Sequence, residues 1–140
     1  MPRYAADRVL LAPIGDVWAF LAEPYNLADW WPGVSGVEPD RRGLAPGARW
    51  KVIGPNQPSL LRRPQMTGTL VVLEVVPFER IAFQLTGDRI DAQLSLRALD
   101  EKSTEASLFV AGPFLIGLRR HFPAQALTRL HGLLRTGEEP

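Results

Sequence analysis

The sequence predicts an α+β fold: a curved antiparallel sheet of about six to seven strands around one long C-terminal helix, with two short helices after the first strand. Three observations predict it. Residues 13–31 carry apolar side chains at helical spacing in two short runs, separated by Pro24. From residue 34 to residue 110 the period changes to two, in stretches punctuated by Gly, Pro and Asp. Residues 112–137 then close the chain with a single amphipathic stripe. A sheet with one long helix to cover it favours an internal apolar cavity.

Residues 4–11 read as the first strand. Pro13 opens the first helix from a first-turn position, where its missing N–H costs nothing. Ile14, Val17, Trp18 and Leu21 fall at i, i+3, i+4 and i+7, one helical face. Pro24 restarts a second helix with Leu27, Trp30 and Trp31 on its apolar side, and Pro32-Gly33 ends it. Strands follow at 34–38 and 48–53, the second carrying Trp50 and Val52 on one side. Residues 54–64 contain three prolines, at 55, 58 and 64, and form a loop. Residues 66–76 and 79–86 form a pair of strands joined through Pro77-Phe78, and Gly87-Asp88 signals a hairpin.

The stretch 89–99 alternates regularly. Ile90, Ala92, Leu94, Leu96 and Ala98 face one way; Arg89, Asp91, Gln93, Ser95 and Arg97 face the other. One dry and one wet face mark an antiparallel strand. On the last strand Thr104, Ala106, Leu108 and Val110 point inward. Gly112-Pro113 opens the final helix, whose stripe is Leu115, Leu118, Phe122, Ala126, Leu127, Leu130 and Leu134. Pro123 is expected to kink or break it, and Gly137 to cap it.

Bulk properties exclude several function classes. One hundred and forty residues fit one domain, 1–140, with a real core. A formal net charge of +1 gives no electrostatic case for nucleic acid, and the arginines at 62, 63, 119, 120, 129 and 135 are scattered without interleaved aromatics. With no cysteine, disulfides, thiol catalysis and cysteine-held metal are ruled out. No apolar run approaches the roughly 20 residues that span a bilayer, so stable membrane insertion is not expected. Met1-Pro2-Arg3-Tyr4 is followed by no apolar core of a signal peptide, and a cytoplasmic location is the default expectation.

The order of elements, together with P-x-x-x-V-W at 13–18, W-P-G-V at 31–34, G-x-x-W at 47–50 and a proline-bearing last helix, resembles the START-like (SRPBCC) superfamily, nearest its polyketide cyclase/dehydrase and lipid-transport branch. The resemblance covers nearly the whole chain. It implies a helix-grip fold, in which the curved sheet wraps the C-terminal helix and encloses an apolar cavity. It also implies a hydrophobic small-molecule ligand such as a lipid or polyketide. Some members of the superfamily are enzymes, so fold analogy leaves the activity open.

Candidate ligand-binding residues come from the inward strand faces and the aromatics. Phe83, Leu85, Ile90, Leu94, Leu96, Leu108 and Val110 line the sheet's concave side, and Ala92, Ala98, Ala106 and Ala111 leave room beside them. Trp18, Trp30, Trp31 and Trp50 suit core packing. The sharper expectation places Trp31 at a cavity mouth, because Pro32-Gly33 sets it at a helix–strand junction; Trp50 joins the ligand set. Leu118 and Phe122 supply the helix side. Thr67 and Thr69 offer hydroxyls, against the plainer reading of strand packing. Leu60 and Leu61, on a proline-stiffened loop, read as a lid over the entrance or as a packing or dimer contact.

Catalytic candidates are weaker. His121 and His131 lack the i, i+4 spacing of a helical metal pair, so no metal is expected; neither is a cofactor. His121 or Arg119 is the candidate proton handler. Of the carboxylates Glu23, Asp29, Glu74 and Asp91, strand alternation sends Glu74 and Asp91 outward, while Asp29 lies next to the tryptophan pair. The leading reading is a protein, monomeric or homodimeric, that binds a hydrophobic small molecule. A cyclase/dehydrase-type enzyme is the second and a protein-interaction module the third.

Overall fold

A computed structural model describes residues 3–31, 34, 36–53, 67–86, 90–112 and 122–138. The chain runs β1 (Arg3–Leu10), α1 (Ile14–Ala22), a 3-10 turn (Pro24–Asn26), α2 (Leu27–Trp30), β2 (Gly36–Glu38), β3 (Arg49–Ile53), β4 (Thr67–Val76), β5 (Arg80–Leu85), β6 (Ile90–Ala98), β7 (Thr104–Ala111) and α3 (Phe122–Glu138). The strands form one antiparallel sheet in the order β1-β7-β6-β5-β4-β3-β2. Its inner face, with α3 packed along β1 and β7 and against α2, makes this an α+β helix-grip fold.

Period-two patterning sets the buried face. Ile90, Ala92, Leu94 and Leu96 on β6 are buried, as are Ala106, Leu108 and Val110 on β7 and Ile81, Phe83 and Leu85 on β5. Registers such as Leu94 opposite Leu108, and Phe83 opposite Ala92, place these side chains on one continuous face. Ala98, expected inward, is exposed where β6 ends. Thr104 is 0% exposed, and its hydroxyl donates to the Ala12 carbonyl at 2.9 Å. That bond ties the start of β7 to the link between β1 and α1, and among the described residues no buried side-chain polar atom is left unmatched.

Two prolines act at helix starts. Pro13 is the N-cap of α1, one residue outside it, and its carbonyl accepts from the N–H groups of Asp16 and Val17, both at 3.0 Å. Pro123 lies in the first turn of α3, where its ring is pre-set for helix and no N–H is missed. α3 as described starts at Phe122, and residues 113–121 of the expected stripe, on the other side of the expected break at Pro123, lie outside the described residues. Gly137, expected as a cap, is inside α3, which continues to Glu138.

A β-bulge between Val72 and Glu74 breaks the alternation of β4 and leaves Leu73 and Glu74 both exposed. The sequence there is apolar on both faces, so its pattern carries no sign of the slip. Arg80 pairs with Glu74 beside the bulge. At the β4–β5 turn Phe78 adopts φ 65°, a left-handed conformation unfavourable for an aromatic residue, and its ring packs on Trp18 with centroids 5.8 Å apart.

The centre of the core is aromatic. Trp31 is 2% exposed and meets three rings edge-on: Trp30 at 5.5 Å, Phe83 at 5.2 Å and Phe122 at 5.1 Å. These contacts join α2, β5 and α3 at one point. Edge-to-face rings at such separations gain attraction beyond the area they bury.

Candidate functional site

An apolar cleft opens between the helical corner at 21–30 and the inner face of the sheet. Leu21, Leu27 and Trp30 form its helical wall, and Trp50, Leu70, Val72, Ile81, Phe83 and Leu94 its sheet wall. All nine are buried. The remaining lining residues, Glu23, Pro24 and Leu44, keep solvent exposure and therefore form the rim. The cavity volume is about 20 Å³, room for roughly one or two waters.

Local sequence explains the rim. α1 stops at Ala22 because Glu23 turns to extended backbone (φ −87°, ψ 110°) and Pro24 cannot continue the hydrogen-bond ladder. The Glu23 carboxylate accepts the Tyr25 N–H at 3.3 Å and so caps the 3-10 turn. Asn26 closes the corner from the other side, donating its amide to the Phe20 carbonyl at 2.9 Å.

The opposite rim is the β2–β3 loop, residues 39–48. Asp40 holds it: one carboxylate oxygen accepts the Arg42 N–H and the other the Arg49 N–H, each at 2.9 Å. The Arg49 N–H, then those of Arg42 and Gly43, hold the Asp40 carboxyl below the ordinary aspartate value. Gly43 (φ 62°) and Gly47 (φ 86°) supply the left-handed turns that fold the loop back. The Gly47 N–H donates to the Val72 carbonyl at 2.8 Å, and the Val72 N–H to the Ala48 carbonyl at 2.9 Å. The Trp50 indole N–H donates to the Gly43 carbonyl at 2.8 Å, which uses its one polar atom and leaves the rings as apolar wall.

Of the residues expected to bind ligand, Trp50, Phe83 and Leu94 line the cleft. Leu85, Leu96, Leu108 and Val110 are buried on the same sheet face but do not line it. Trp31, expected at a mouth, is in the aromatic core with Phe122. Leu70 and Val72 are the inward residues of β4, so Thr69 lies on the opposite face, paired across β3 with Lys51. Its N–H and carbonyl both meet the Thr86 hydroxyl. The side chain of Thr67, and Leu60, Leu61, Leu118, Arg119 and His121, lie outside the described residues.

The other polar candidates stand away from the cleft. Asp29 is exposed in the first turn of α2 and does not line it; Asp91 is exposed as alternation predicts, and Glu74 is exposed because the bulge turns it away from the inward face of Leu70 and Val72. His131 is on α3 beside β1, its Nδ1 3.5 Å from Arg8 Nη2. Among the described residues no group of His, Asp and Glu could hold a metal ion, and no helix is long and apolar enough to cross a membrane.

Sequence reasoning named Glu23 only as one carboxylate among four and did not single out Leu44. A signal for Glu23 was available: a carboxylate placed immediately before a helix-restarting proline is rooted at a corner. What lies opposite that corner depends on the strand register.

No known protein family matches the chain, and no curated protein matches it. Solved structures do. Protein NE0264 from Nitrosomonas europaea superposes with a TM-score of 0.73 at 19% identity, over 97% of this chain and 96% of that one. A norcoclaurine synthase point mutant from Thalictrum flavum, in complex with a transition-state analogue, superposes with a TM-score of 0.66 at 15% identity, over 99% and 96%. DynU16, from the dynemicin biosynthetic locus, matches at a TM-score of 0.67 and 20% identity, over 96% of this chain and 48% of its own. At these identities the likeness is one of fold.

Proposed function

We propose that this chain is a START-like (SRPBCC) domain that binds a hydrophobic small molecule in the cleft between its helical corner and its sheet. The observation that carries the reading is the lining: nine buried apolar residues, three of them the aromatics Trp30, Trp50 and Phe83, with Glu23 its one charged member among the described residues. Mostly apolar walls with few polar groups are what small-molecule sites have in common. Burial of ligand surface, at about 25 cal/mol per Å² before ordering costs, supplies the driving force.

The cleft is narrow as it stands, so a ligand enters by parting the rim. The rim suits this. One side is a single 3-10 turn and the other a loop turned by two glycines; neither is a long packed element. Norcoclaurine synthase, solved with a transition-state analogue on the same fold, supports ligand binding as the use of this architecture.

A cyclase/dehydrase-type reaction would need a proton donor and acceptor facing the ligand. Among the described residues Glu23 is the one ionisable side chain lining the cleft. Binding is therefore the reading that the geometry favours.

Titration with N-phenyl-1-naphthylamine, a neutral apolar dye, tests it. The wild-type protein is expected to give a saturable fluorescence rise. Leu94→Arg, which sets a charge in the sheet wall, abolishes it while the far-UV circular dichroism is retained. Unchanged dye uptake in that folded variant refutes the cleft as the site.

A further inference from the structure

We propose that Glu23 selects the ligand's head group, and that the ligand is an apolar chain or ring bearing a protonated amine. The inference rests on the binding reading above and deepens it. Three features of the rim lead to it.

First, Glu23 is uncommitted. Its Oε1 takes the Tyr25 N–H at a long 3.3 Å, and Oε2 has no partner among the described residues. The ion pairs among the described residues are Arg80–Glu74 and Arg97–Glu105, so no cation among the described residues pairs with Glu23. Pro24 and Leu44 share the rim with it and are apolar, so a polar head group arriving there meets Glu23.

Second, the helical side of the rim is negative beyond this one charge. Glu23 caps the C-terminus of α1, the end at which helix carbonyls concentrate partial negative charge, and the last turn of α1 carries no basic residue. On this side of the mouth an anionic head is disfavoured and a cationic one favoured; Arg41 and Arg42 are exposed on the loop opposite.

Third, the carboxylate is rooted. The Glu23 N–H donates to the Phe20 carbonyl at 3.4 Å, and Pro24 fixes the next φ. A side chain held at a fixed root loses less entropy when it pairs. The aromatic walls behind it, Trp30 and Trp50, suit the alkyl stem of an amine as well as its charge.

The test uses three molecules with one tail and three heads: decylamine, decanol and decanoate. Each displaces N-phenyl-1-naphthylamine from the full chain at neutral pH, below its micelle concentration. Decylamine is expected to bind about threefold to tenfold tighter than decanol, as befits a partly exposed charge pair, with decanoate weakest and the ratio shrinking in high salt. Glu23→Gln keeps an oxygen to accept the Tyr25 N–H and removes the charge; the amine-to-alcohol ratio then falls to about one.

Equal binding of all three heads by the wild type, a preference for decanoate, or a ratio unchanged in Glu23→Gln overturns the head-group assignment and leaves the cleft intact. Absence of any dye binding or displacement overturns the binding reading, and this inference with it.

Discussion

Replacing Trp31 by alanine is expected to cost most of the protein's stability. The indole is 2% exposed and its edges and face are taken by Trp30, Phe83 and Phe122. A buried tryptophan hides about 150–250 Å², which at about 25 cal/mol per Å² gives roughly 4–6 kcal/mol of transfer free energy. Measured aromatic-to-alanine losses in cores, about 3–5 kcal/mol, agree with that range because the site collapses in part. Against a total stability of about 5–15 kcal/mol this brings the domain close to unfolding.

Trp31→Phe keeps a ring for two of the three edge contacts and is expected to cost about 1–2 kcal/mol. Urea unfolding followed by far-UV circular dichroism reads both. With a slope of about 1–3 kcal/mol per molar, the alanine variant's midpoint moves down by about 2 M. Added indole fills the vacated space and raises the midpoint again by mass action. A loss for Trp31→Ala below about 1 kcal/mol, the range of surface substitutions, refutes the placement of this ring in the core and restores it to an exposed mouth.

Two further outcomes follow from single contacts. Thr104→Val leaves the buried Ala12 carbonyl without its 2.9 Å donor and should lower stability by about 1–3 kcal/mol, whereas Thr104→Ser keeps the hydroxyl and costs less; equal losses in denaturant melts count against the hydrogen bond as the cause. For Asp40 the folded carboxyl lies below the ordinary value of 3.8, so its contribution is present above that value and fades as pH falls below it. Asp40→Asn keeps one acceptor oxygen for two N–H donors and does not titrate. The stability gap between wild type and Asp40→Asn should therefore be widest at neutral pH and narrow toward pH 3, and a constant gap across that range excludes Asp40 as a titrating clasp.

Much of the architecture was legible because its signals are local. The alternation along 90–97 fixes which side chains of β6 are dry, and no distant residue can reverse it without turning the whole strand over. The spacing of Val17 and Leu21, and of Ala126, Leu127, Leu130 and Leu134, marks the buried faces of α1 and α3 in the same way. Proline and glycine signals located the element ends to within a residue or two; Gly137, expected as a cap, is instead carried inside α3.

The sequence by itself determined that a one-sided sheet, two short helices and a long C-terminal helix share one apolar interior, since periodicity, proline and chain order suffice for that. The site was decided by tertiary structure. Trp31 shows its apolar character in the sequence, but only the register of β5 and the seat of α3 bring Phe83 and Phe122 against it and turn a supposed mouth residue into core. Glu23 looks like any surface carboxylate until the β2–β3 loop sets Leu44 across from it and β3 to β6 supply a wall below. A residue's own neighbours in the chain dictate which face it occupies; what it faces is set by segments far away in sequence, through loop closure and strand register that no local pattern encodes.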